Sequence, residues 1–284
     1  MASSVLINEA GDVILSGLAD PVPWWSFTKT VLAIGALRLV DQHFLTLNEP
    51  ICGERFTLSQ LLRHEAGLPD YGSVSSYHAA VAAGERPWPV DELLAVLEVD
   101  RLRFEPGTGW AYSNIGYLKV RQLIEQASGL PLAVALRQLV FAPAGLVTPR
   151  LAAMPDDLAG VQMGSAADYH PGWVYHGLVI GTVADAAGLL RALMTKNLLR
   201  PDTLQAMLNG RPLPEHRSRN HPDPAYGLGL MLRANNPHDH PLGHSGEGPG
   251  SRFAAYALGH KIAAVWTAPP SSLSAEAEVF ALLS

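Results

Sequence analysis

Short apolar runs, bounded by turn-forming and polar residues, lie near the N-terminus of the chain, and alternating or apolar runs lie in its C-terminal third; both patterns are typical of β-strands. The predicted strands comprise residues 5–7, 13–15, 226–232, 251–258 and 262–267. The first two flank the turn-forming stretch 8–12, and residues 274–283 predict a closing helix. Strands at both ends of the chain imply one sheet that is assembled from the two termini.

Between these strands, apolar positions recur every three or four residues, which is the period of helices that face a core. The predicted helices cover about residues 26–42, 57–64, 91–97 and 115–127, a segment that ends near residue 140, and residues 183–195 and 202–208. Thr57 and Gln60 have capping-box spacing, and Gly129 is typical of a helix C-terminus. Residues 145–180 show no clear period. Within them, segment 170–177 has the aromatic and glycine content of a pocket wall, and an ordinary ordered loop accounts for it equally well.

The order of these elements predicts an α/β (α+β) fold. We assign residues 1–45 and 178–284 to a sheet domain, and residues 46–177 to a mainly helical region inserted into it. The helix that begins near residue 26 then lies at the junction of the two, where we place the active site.

Composition narrows the range of partners. The 284 residues are 48% apolar, enough to bury a large core, and they carry a formal net charge of −6 without a basic cluster. That balance argues against a nucleic-acid partner and against an anionic membrane surface. A small-molecule substrate fits better, we expect no cofactor, and the oligomeric state stays open.

Cysteine content and the N-terminus bear on the cell compartment. Cys52 is the only cysteine, which excludes an internal disulfide, and we expect it to be a buried small hydrophobe. The N-terminus lacks the basic and long apolar regions of a secretory signal, and no run approaches roughly 18 apolar residues. We therefore expect a soluble cytoplasmic protein, or a periplasmic one if a leader has been removed before Met1.

Candidate chemistry begins in residues 24–30, which contain the pattern S-x-x-K at the start of an apolar, helix-periodic run. The spacing places Ser26 and Lys29 on one helical face, a single turn apart. A serine hydroxyl needs a base to become a nucleophile, and a lysine becomes such a base if burial lowers its pKa. Four lysines and 18 serines in 284 residues give about 0.25 such matches by chance, so the pattern needs partners elsewhere in the chain.

Two further short motifs supply such partners. They are the tripeptide Y-S-N, with Tyr112 and Asn114, and the tripeptide H-S-G, with His244 and Gly246. Together with S-x-x-K they resemble, in order, the S-x-x-K, S-D-N and K-T-G signature set of the serine β-lactamase and penicillin-binding-protein superfamily.

The resemblance is closest to the branch with a tyrosine in the second motif. That branch comprises class C β-lactamases, D-alanyl-D-alanine carboxypeptidases, D-amino-acid peptidases and family VIII esterases. The resemblance extends to residues 61–71 (LLRHEAGLPDY), 104–117 (FEPGTGWAYSNIGY) and 226–229 (YGLG), and so covers nearly all of the chain. The resemblance implies a β-lactamase/transpeptidase-like fold, with a central antiparallel sheet flanked by helices.

It also implies roles for the three catalytic candidates. Ser26 would attack a carbonyl carbon and form an acyl-enzyme, and Lys29 would act as base or as the positive neighbour of a second base. Tyr112 would carry a proton to the leaving group. At neutral pH a tyrosine does so only if cations such as Lys29 lower its pKa.

The remaining candidates would bind the substrate. Asn114 would donate its amide to the substrate carbonyl or to Lys29. The oxyanion hole would use the backbone N–H groups of Ser26 and of Glu247, which follows Gly246 on an edge strand. Taken singly, each has an ordinary structural reading: Ser26 or Asn114 as a helix N-cap, Lys29 as a solvated charge, Tyr112 as a helix-flanking aromatic and His244 as a surface histidine.

Two departures from the family pattern concern the substrate. His244 replaces the usual lysine, which makes the positive charge facing a substrate carboxylate depend on pH. Glu247 is acidic where a small residue is usual, and we expect it to disfavour an anionic substrate group. A rival interpretation makes His238, His240 and His244 zinc ligands. The neighbouring prolines indicate a flexible turn there, and we expect no metal site.

The implied activity is hydrolysis of a small ester or amide, as in an esterase, a D-amino-acid peptidase or a carboxypeptidase. The alternatives are a true β-lactamase, acting on a lactam, and a non-catalytic ligand-binding module on the same scaffold. The sequence does not separate them, because the pocket is shaped by loops at residues 72–90, 145–180 and 211–223.

Overall fold

The computed structural model describes residues 1–195, 198–271 and 273–284, and within them an eight-stranded antiparallel sheet joins both ends of the chain. Its strands are β1 (Ala2–Ile7), β2 (Val13–Ser16), β6 (Arg211–Pro212), β7 (Pro224–Tyr226), β8 (Met231–Arg233), β9 (Leu242–Gly248), β10 (Ser251–Leu258) and β11 (Lys261–Thr267). They are ordered β2-β1-β11-β10-β9-β8-β7-β6. The first strand of the chain therefore pairs with the last, with Ile7 opposite Ile262.

A second sheet and the helices make up the rest of the described chain. The small sheet contains β3 (Val22–Pro23), β4 (Arg150–Ala152) and β5 (Leu178–Gly181), in the order β3-β5-β4. The helices are α1 (Thr28–Asp41), α2 (Leu58–Leu62), α3 (Ser75–Ala82), α4 (Val90–Val96), α5 (Asn114–Ser128), α6 (Leu132–Leu136), α7 (Ala142–Ala144), α8 (Val183–Thr195), α9 (Pro201–Leu208) and α10 (Ala275–Leu283). A π-helical turn, Arg137–Phe141, joins α6 to α7.

Both faces of the large sheet are covered by helices. Along β10, Phe253 and Ala255 belong to the main core, which includes α8, whereas Ala254 and Tyr256 pack with Val279 of α10. Successive side chains of a strand point to opposite faces, so an almost wholly apolar strand is expected where both faces are buried.

Helix α1 lies inside the protein. Residues from Thr28 to Leu37 are all buried, which explains why its sequence is apolar with no polar stripe. It packs against α5, so the turn before α1 is held between the helical region and the large sheet.

The predicted fold class is confirmed. Both predicted N-terminal strands, the capping box of Thr57 with Gln60 and the closing helix are present. Gly129 ends α5 in the left-handed conformation, with φ of 67°. The division into a sheet domain and an inserted helical region stays a prediction.

The predicted extent of one C-terminal strand was wrong. Residues 226–232 form two strands and not one, because the chain turns at Gly229, where φ is 79°. Strand β9 lies between β10 and β8, but it pairs with β8 at Gly243 only, so within the described residues the stretch with Glu247 pairs with β10 alone, as predicted for an edge. Residues 145–180, which show no clear period, contain β4 and most of β5; strands of three and four residues are too short to show one.

Two other features concern Cys52 and membrane spans. Cys52 is exposed and not buried, because it lies in the surface turn that follows α1. No single helix among the described residues is long and apolar enough to cross a membrane. Only the pair Asn114–Ser128 and Leu132–Ala144, bent by 80°, passes by length and composition.

Candidate active site

Ser26 lies in a strained turn. It occupies the 3-10 turn Trp25–Phe27, directly before α1, and not the α-helix that its sequence predicted. The φ of Trp25 is 42°, a conformation that is an outlier for a bulky residue. The Trp25 indole N–H donates to Ser251 Oγ at 3.0 Å, and this bond helps to hold the turn in place.

Lys29 is fully buried, one turn beyond Ser26. Its Nζ donates to Asn114 Oδ1 at 2.7 Å, and it lies 3.2 Å from Ser26 Oγ and 3.3 Å from His176 Nε2. The predicted approach of Lys29 to the serine is thus present, and the alternative of a solvated lysine is wrong.

Burial lowers the pKa of Lys29 from 10.5 to about 7, against the opposing effect of the Asp70 carboxylate. Desolvation disfavours the charged ammonium, and this effect outweighs the attraction of the Asp70 carboxylate. A substantial fraction of Lys29 is therefore a free amine at neutral pH, which is the form that accepts a proton.

Tyr112 also contacts the serine: its hydroxyl donates to Ser26 Oγ at 2.8 Å, and its ring centroid lies 4.9 Å from Lys29 Nζ. Burial raises the pKa of Tyr112 above 10, although the hydrogen bond to Ser26 opposes this. The expectation that cations lower this pKa is therefore wrong for the free protein, because Lys29 gives up its charge more readily. Tyr112 is a neutral phenol that can donate a proton.

Asn114 is the first residue of α5, and Ser113 is the N-cap, with its hydroxyl accepting from the Gly116 N–H. The alternative of Asn114 as N-cap is therefore wrong. The backbone N–H of Asn114 donates to Asp70 Oδ1 at 2.7 Å. The side-chain oxygen of Asn114 accepts from Lys29.

Strand β9 runs directly beside the nucleophile. A methyl group on Gly246 would lie 2.5 Å from the backbone nitrogen of Ser26, and one on Gly248 would overlap the Trp25 ring. Glycine at both positions lets the strand approach this closely. The peptide nitrogen of Glu247 follows Gly246, so the two N–H groups proposed for the oxyanion hole come from adjoining segments.

His244 differs most from its predicted role. Its Nδ1 faces the carbonyl of Ser245 and must donate to it, so Nε2 accepts from the Tyr226 hydroxyl at 2.8 Å. Burial, followed by the nearby Lys29, lowers the pKa of His244 to about 3. The imidazole is neutral at physiological pH, so the expected pH-dependent positive charge is absent there, and the surface alternative is also wrong.

The Glu247 side chain is exposed over 68% of its area and accepts from Arg252 Nε at 3.1 Å. It stands at the rim of the site, where its charge is partly balanced by the guanidinium. Deeper in the site, burial opposes ionisation of Glu276, but hydrogen bonds from His221, Tyr256 and Asn220 lower its pKa to about 2.

Two cavities meet at Ser26. The first cavity, of about 580 Å³, contains Tyr112, Met231, His244, Gly246, Arg252 and Glu276. The second cavity, of about 390 Å³, is lined by the polar side chains of Asn114, His176 and His78, and by the aromatic and aliphatic side chains of Trp25, Tyr71, Tyr77, Val81, Tyr169 and Val174. Glu247 borders both. The structure thus brings all seven predicted site residues together, and their chemical roles stay predictions.

Sequence reasoning missed three residues of this site: Asp70, His176 and Tyr226. Asp70 and Tyr226 belong to segments that carried the family resemblance, and His176 lies in segment 170–177, predicted as a pocket wall. That segment does line the second cavity. No local pattern could indicate that His176 reaches Lys29, which is 147 residues away.

The histidines of the zinc interpretation do not converge. His240 packs on Phe280, whereas His244 is bonded to Tyr226. Within the described ranges, no three His, Cys, Asp or Glu side chains are arranged to hold a metal ion.

Comparison with known proteins adds the family to this geometry. A family model described as Beta-lactamase matches residues 20–272. The chain belongs to this family. Among curated relatives, it is 27% identical over 201 residues to a D-aminopeptidase of Gluconobacter oxydans (strain 621H), covering 68% of this chain and 36% of the relative. It is 33% identical over 141 residues to esterase EstB of Burkholderia gladioli, covering 43% and 36%.

Solved structures agree on the fold of this β-lactamase family member. A D-stereospecific amidohydrolase from Streptomyces sp. superimposes with a TM-score of 0.79, at 22% identity, over 94% of this chain and 88% of the other. At that identity the likeness shows the fold alone. The chain spans about a third of the length of the curated relatives that it matches.

Proposed function

We propose that this protein is a serine hydrolase that cleaves an ester or amide through an acyl-enzyme on Ser26. One observation carries the proposal: Ser26 Oγ lies between an amine with a pKa of about 7, 3.2 Å away on Lys29, and a phenol donor, 2.8 Å away on Tyr112. A nucleophile held between a base and an acid can lose its proton and then supply one to the leaving atom.

The proposed acylation balances its protons. The Lys29 amine takes the Ser26 proton as Oγ bonds to the carbonyl carbon, and the backbone N–H groups of Ser26 and Glu247 stabilise the oxyanion. The bond to the leaving atom then breaks, and Tyr112 protonates that oxygen or nitrogen. A proton from the Lys29 ammonium restores the phenol. Water then attacks the acyl-enzyme by the same steps in reverse, which releases the acid.

We use the position of Tyr112 to assign the leaving group and the acyl group to the two cavities. Because Tyr112 lines the first cavity and protonates the leaving group, the leaving group occupies the first cavity. The acyl group then occupies the second cavity, which is lined by polar His78, Asn114 and His176 and by six aromatic or aliphatic side chains: Trp25, Tyr71, Tyr77, Val81, Tyr169 and Val174. An uncharged, apolar acyl group matches that lining.

Charge in the site favours ester and amide substrates over a β-lactam. His244 is neutral, so it supplies no cation for a substrate carboxylate. Glu276 and Glu247 line the first cavity, and the one guanidinium in that lining, Arg252, is already paired with Glu247. A leaving group that carries a carboxylate is therefore disfavoured, and a true β-lactamase is the second candidate. The D-aminopeptidase and esterase relatives support the first.

The test compares three substrates: a short-chain p-nitrophenyl ester, a D-alanyl peptide and a chromogenic cephalosporin. We expect turnover of the ester at least, with the cephalosporin slowest. A fluorophosphonate should add to wild-type protein and raise its intact mass, but should not add to Ser26→Ala. If folded wild-type protein neither turns over a substrate nor takes up any probe, the non-catalytic binding module is correct.

A further inference from the structure

Among the hydrogen-bond partners that the described residues give Lys29, only His176 lies outside the recognised motifs. It is buried at the end of the loop before β5, and its Nε2 lies 3.3 Å from Lys29 Nζ. Its Nδ1 is also buried and has no hydrogen-bond partner within residues 1–195, 198–271 and 273–284. Leaving a buried polar atom unpaired is unfavourable, so a histidine here calls for a reason beyond packing.

The three partners of Lys29 differ in what they can exchange with an amine. A neutral amine has two hydrogens and one lone pair. The Asn114 oxygen accepts hydrogen bonds only, and it takes one hydrogen at 2.7 Å. Ser26 has a hydroxyl proton to give, because its oxygen already accepts from Tyr112.

The orientation of the amine then depends on His176. If Nε2 accepts the second hydrogen, the lone pair has only the Ser26 hydroxyl left to face. If an apolar side chain stood there, the second hydrogen could turn towards Ser26 and the lone pair away from it. An accepting Nε2 requires the proton on Nδ1, which is the atom that has no partner.

We propose that His176 is a positioning residue that aims the lone pair of Lys29 at the Ser26 hydroxyl; this inference rests on the proposed function. The same acceptor serves after proton transfer, when the ammonium has three hydrogens to donate. Asn114, His176 and the Ser26 oxygen then match them one to one.

Charges around the pair are compatible with a neutral, accepting imidazole. Burial, followed by the proximity of Lys29, holds the pKa of His176 well below its usual range. The other titratable groups that act on Lys29 or His176 are Asp70, Tyr112, Tyr117, His64, Arg121 and His244. Of these, Asp70 favours the Lys29 ammonium, and the Arg121 guanidinium disfavours a charge on His176.

Two variants at position 176 separate positioning from packing. His176→Leu keeps an apolar bulk and removes the acceptor, whereas His176→Gln keeps an acceptor oxygen. Lys29 is titrated directly by NMR of ¹³C-labelled lysine side chains, with its signal assigned through Lys29→Arg. The rate at which a fluorophosphonate labels Ser26 is measured across the same pH range. His240→Leu, which removes a half-buried histidine packed on Phe280, is the matched control.

In His176→Leu we expect the midpoint of the Lys29 titration to fall by about one pH unit, because the ammonium loses an acceptor. The plateau labelling rate should fall about tenfold. His176→Gln should recover both values to within about threefold, and His240→Leu should change neither. An unchanged Lys29 midpoint in His176→Leu, or a glutamine variant that behaves like leucine, would overturn the proposal. Absence of labelling in wild type would refute the proposed function instead, and the NMR comparison would still decide the role of His176.

Discussion

The α-carbon of Gly246 is so close to the turn of the nucleophile that a methyl group on it would lie 2.5 Å from the Ser26 backbone nitrogen. Real side chains do not approach a backbone atom this closely, so the absence of a side chain sets the spacing between β9 and the serine. This spacing is what places the Glu247 peptide beside Ser26.

We therefore predict that Gly246→Ala lowers kcat about 100-fold to 1,000-fold, because it displaces one donor of the oxyanion hole. Steady-state kinetics with the p-nitrophenyl ester measures this. The control is Gly35→Ala in α1, where the new methyl group meets Leu136 at an ordinary 3.4 Å. Equal activity of Gly246→Ala and wild type would show that β9 does not supply the oxyanion hole.

The pKa of Lys29 predicts how acylation depends on pH. Acylation needs the amine, so the labelling rate of Ser26 should rise with pH and reach half of its plateau near pH 7. Labelling at fixed probe concentration between pH 5 and pH 9 measures this. A rate that is constant over this range would exclude Lys29 as the base.

The same group affects stability in a predictable direction. The unfolded chain holds the Lys29 proton up to about pH 10.5, and the folded protein releases it above about 7. The unfolded state therefore binds more protons between these values, and the free energy of unfolding should rise with pH there by up to about 1.4 kcal/mol per unit. We expect Lys29→Met to be more stable than wild type at pH 7, by about 1–2 kcal/mol. Urea unfolding at several pH values tests this, and lower stability of Lys29→Met would contradict it.

Tyr112→Phe should affect amides more than activated esters. A p-nitrophenolate leaves without a proton, whereas an amine leaving group needs one, so only the amide reaction depends fully on the phenol. We predict a loss in kcat/KM of about 100-fold or more for the D-alanyl peptide and of less than about tenfold for the p-nitrophenyl ester. Equal losses for both substrates would mean that Tyr112 acts before the leaving group departs.

The second cavity predicts a preference for apolar acyl groups. With p-nitrophenol as the common leaving group, phenylacetyl should exceed acetyl in kcat/KM by about tenfold, through apolar burial. Val81→Trp narrows this cavity and should remove the advantage of phenylacetyl while sparing acetyl. A variant that loses both activities equally, or wild type with no preference, would argue against this assignment of the cavity.

The buried histidines make the protein sensitive to acid. The folded-state pKa of His244 is about 3, and those of His64 and His176 are also well below 6.5, chiefly because of burial. As the pH falls below about 6.5, the unfolded chain takes up protons that the folded protein refuses. The contribution of these neutral histidines to the free energy of unfolding is therefore fully present above about pH 6.5. It declines as the pH approaches 3, by up to about 1.4 kcal/mol per pH unit for each histidine. Urea unfolding of His244→Gln at several pH values should show a weaker dependence of the free energy of unfolding on pH, smaller by the uptake of one proton. An unchanged dependence would contradict a neutral His244 in the folded protein.

The sequence by itself determined the local parts of the site and the family frame around them. The S-x-x-K spacing was enough to place Lys29 one turn from Ser26, because helical geometry depends on neighbouring residues only. The capping box of Thr57 with Gln60 and the turn at Gly129 could be predicted for the same reason. The short apolar or alternating runs at both ends indicated the strands of the sheet, since the faces that a strand buries set the apolar pattern of its own residues.

Only the tertiary structure decided the protonation states and the partners that set them. Whether Lys29 is an amine, and whether His244 carries charge, depends on how completely the rest of the chain removes water from each group. The contact of His176 with Lys29 joins residues 147 positions apart. Burial and long-range contacts are sums over the whole fold, so no short stretch of sequence contains them, whereas residue spacing within one turn is present in the sequence itself.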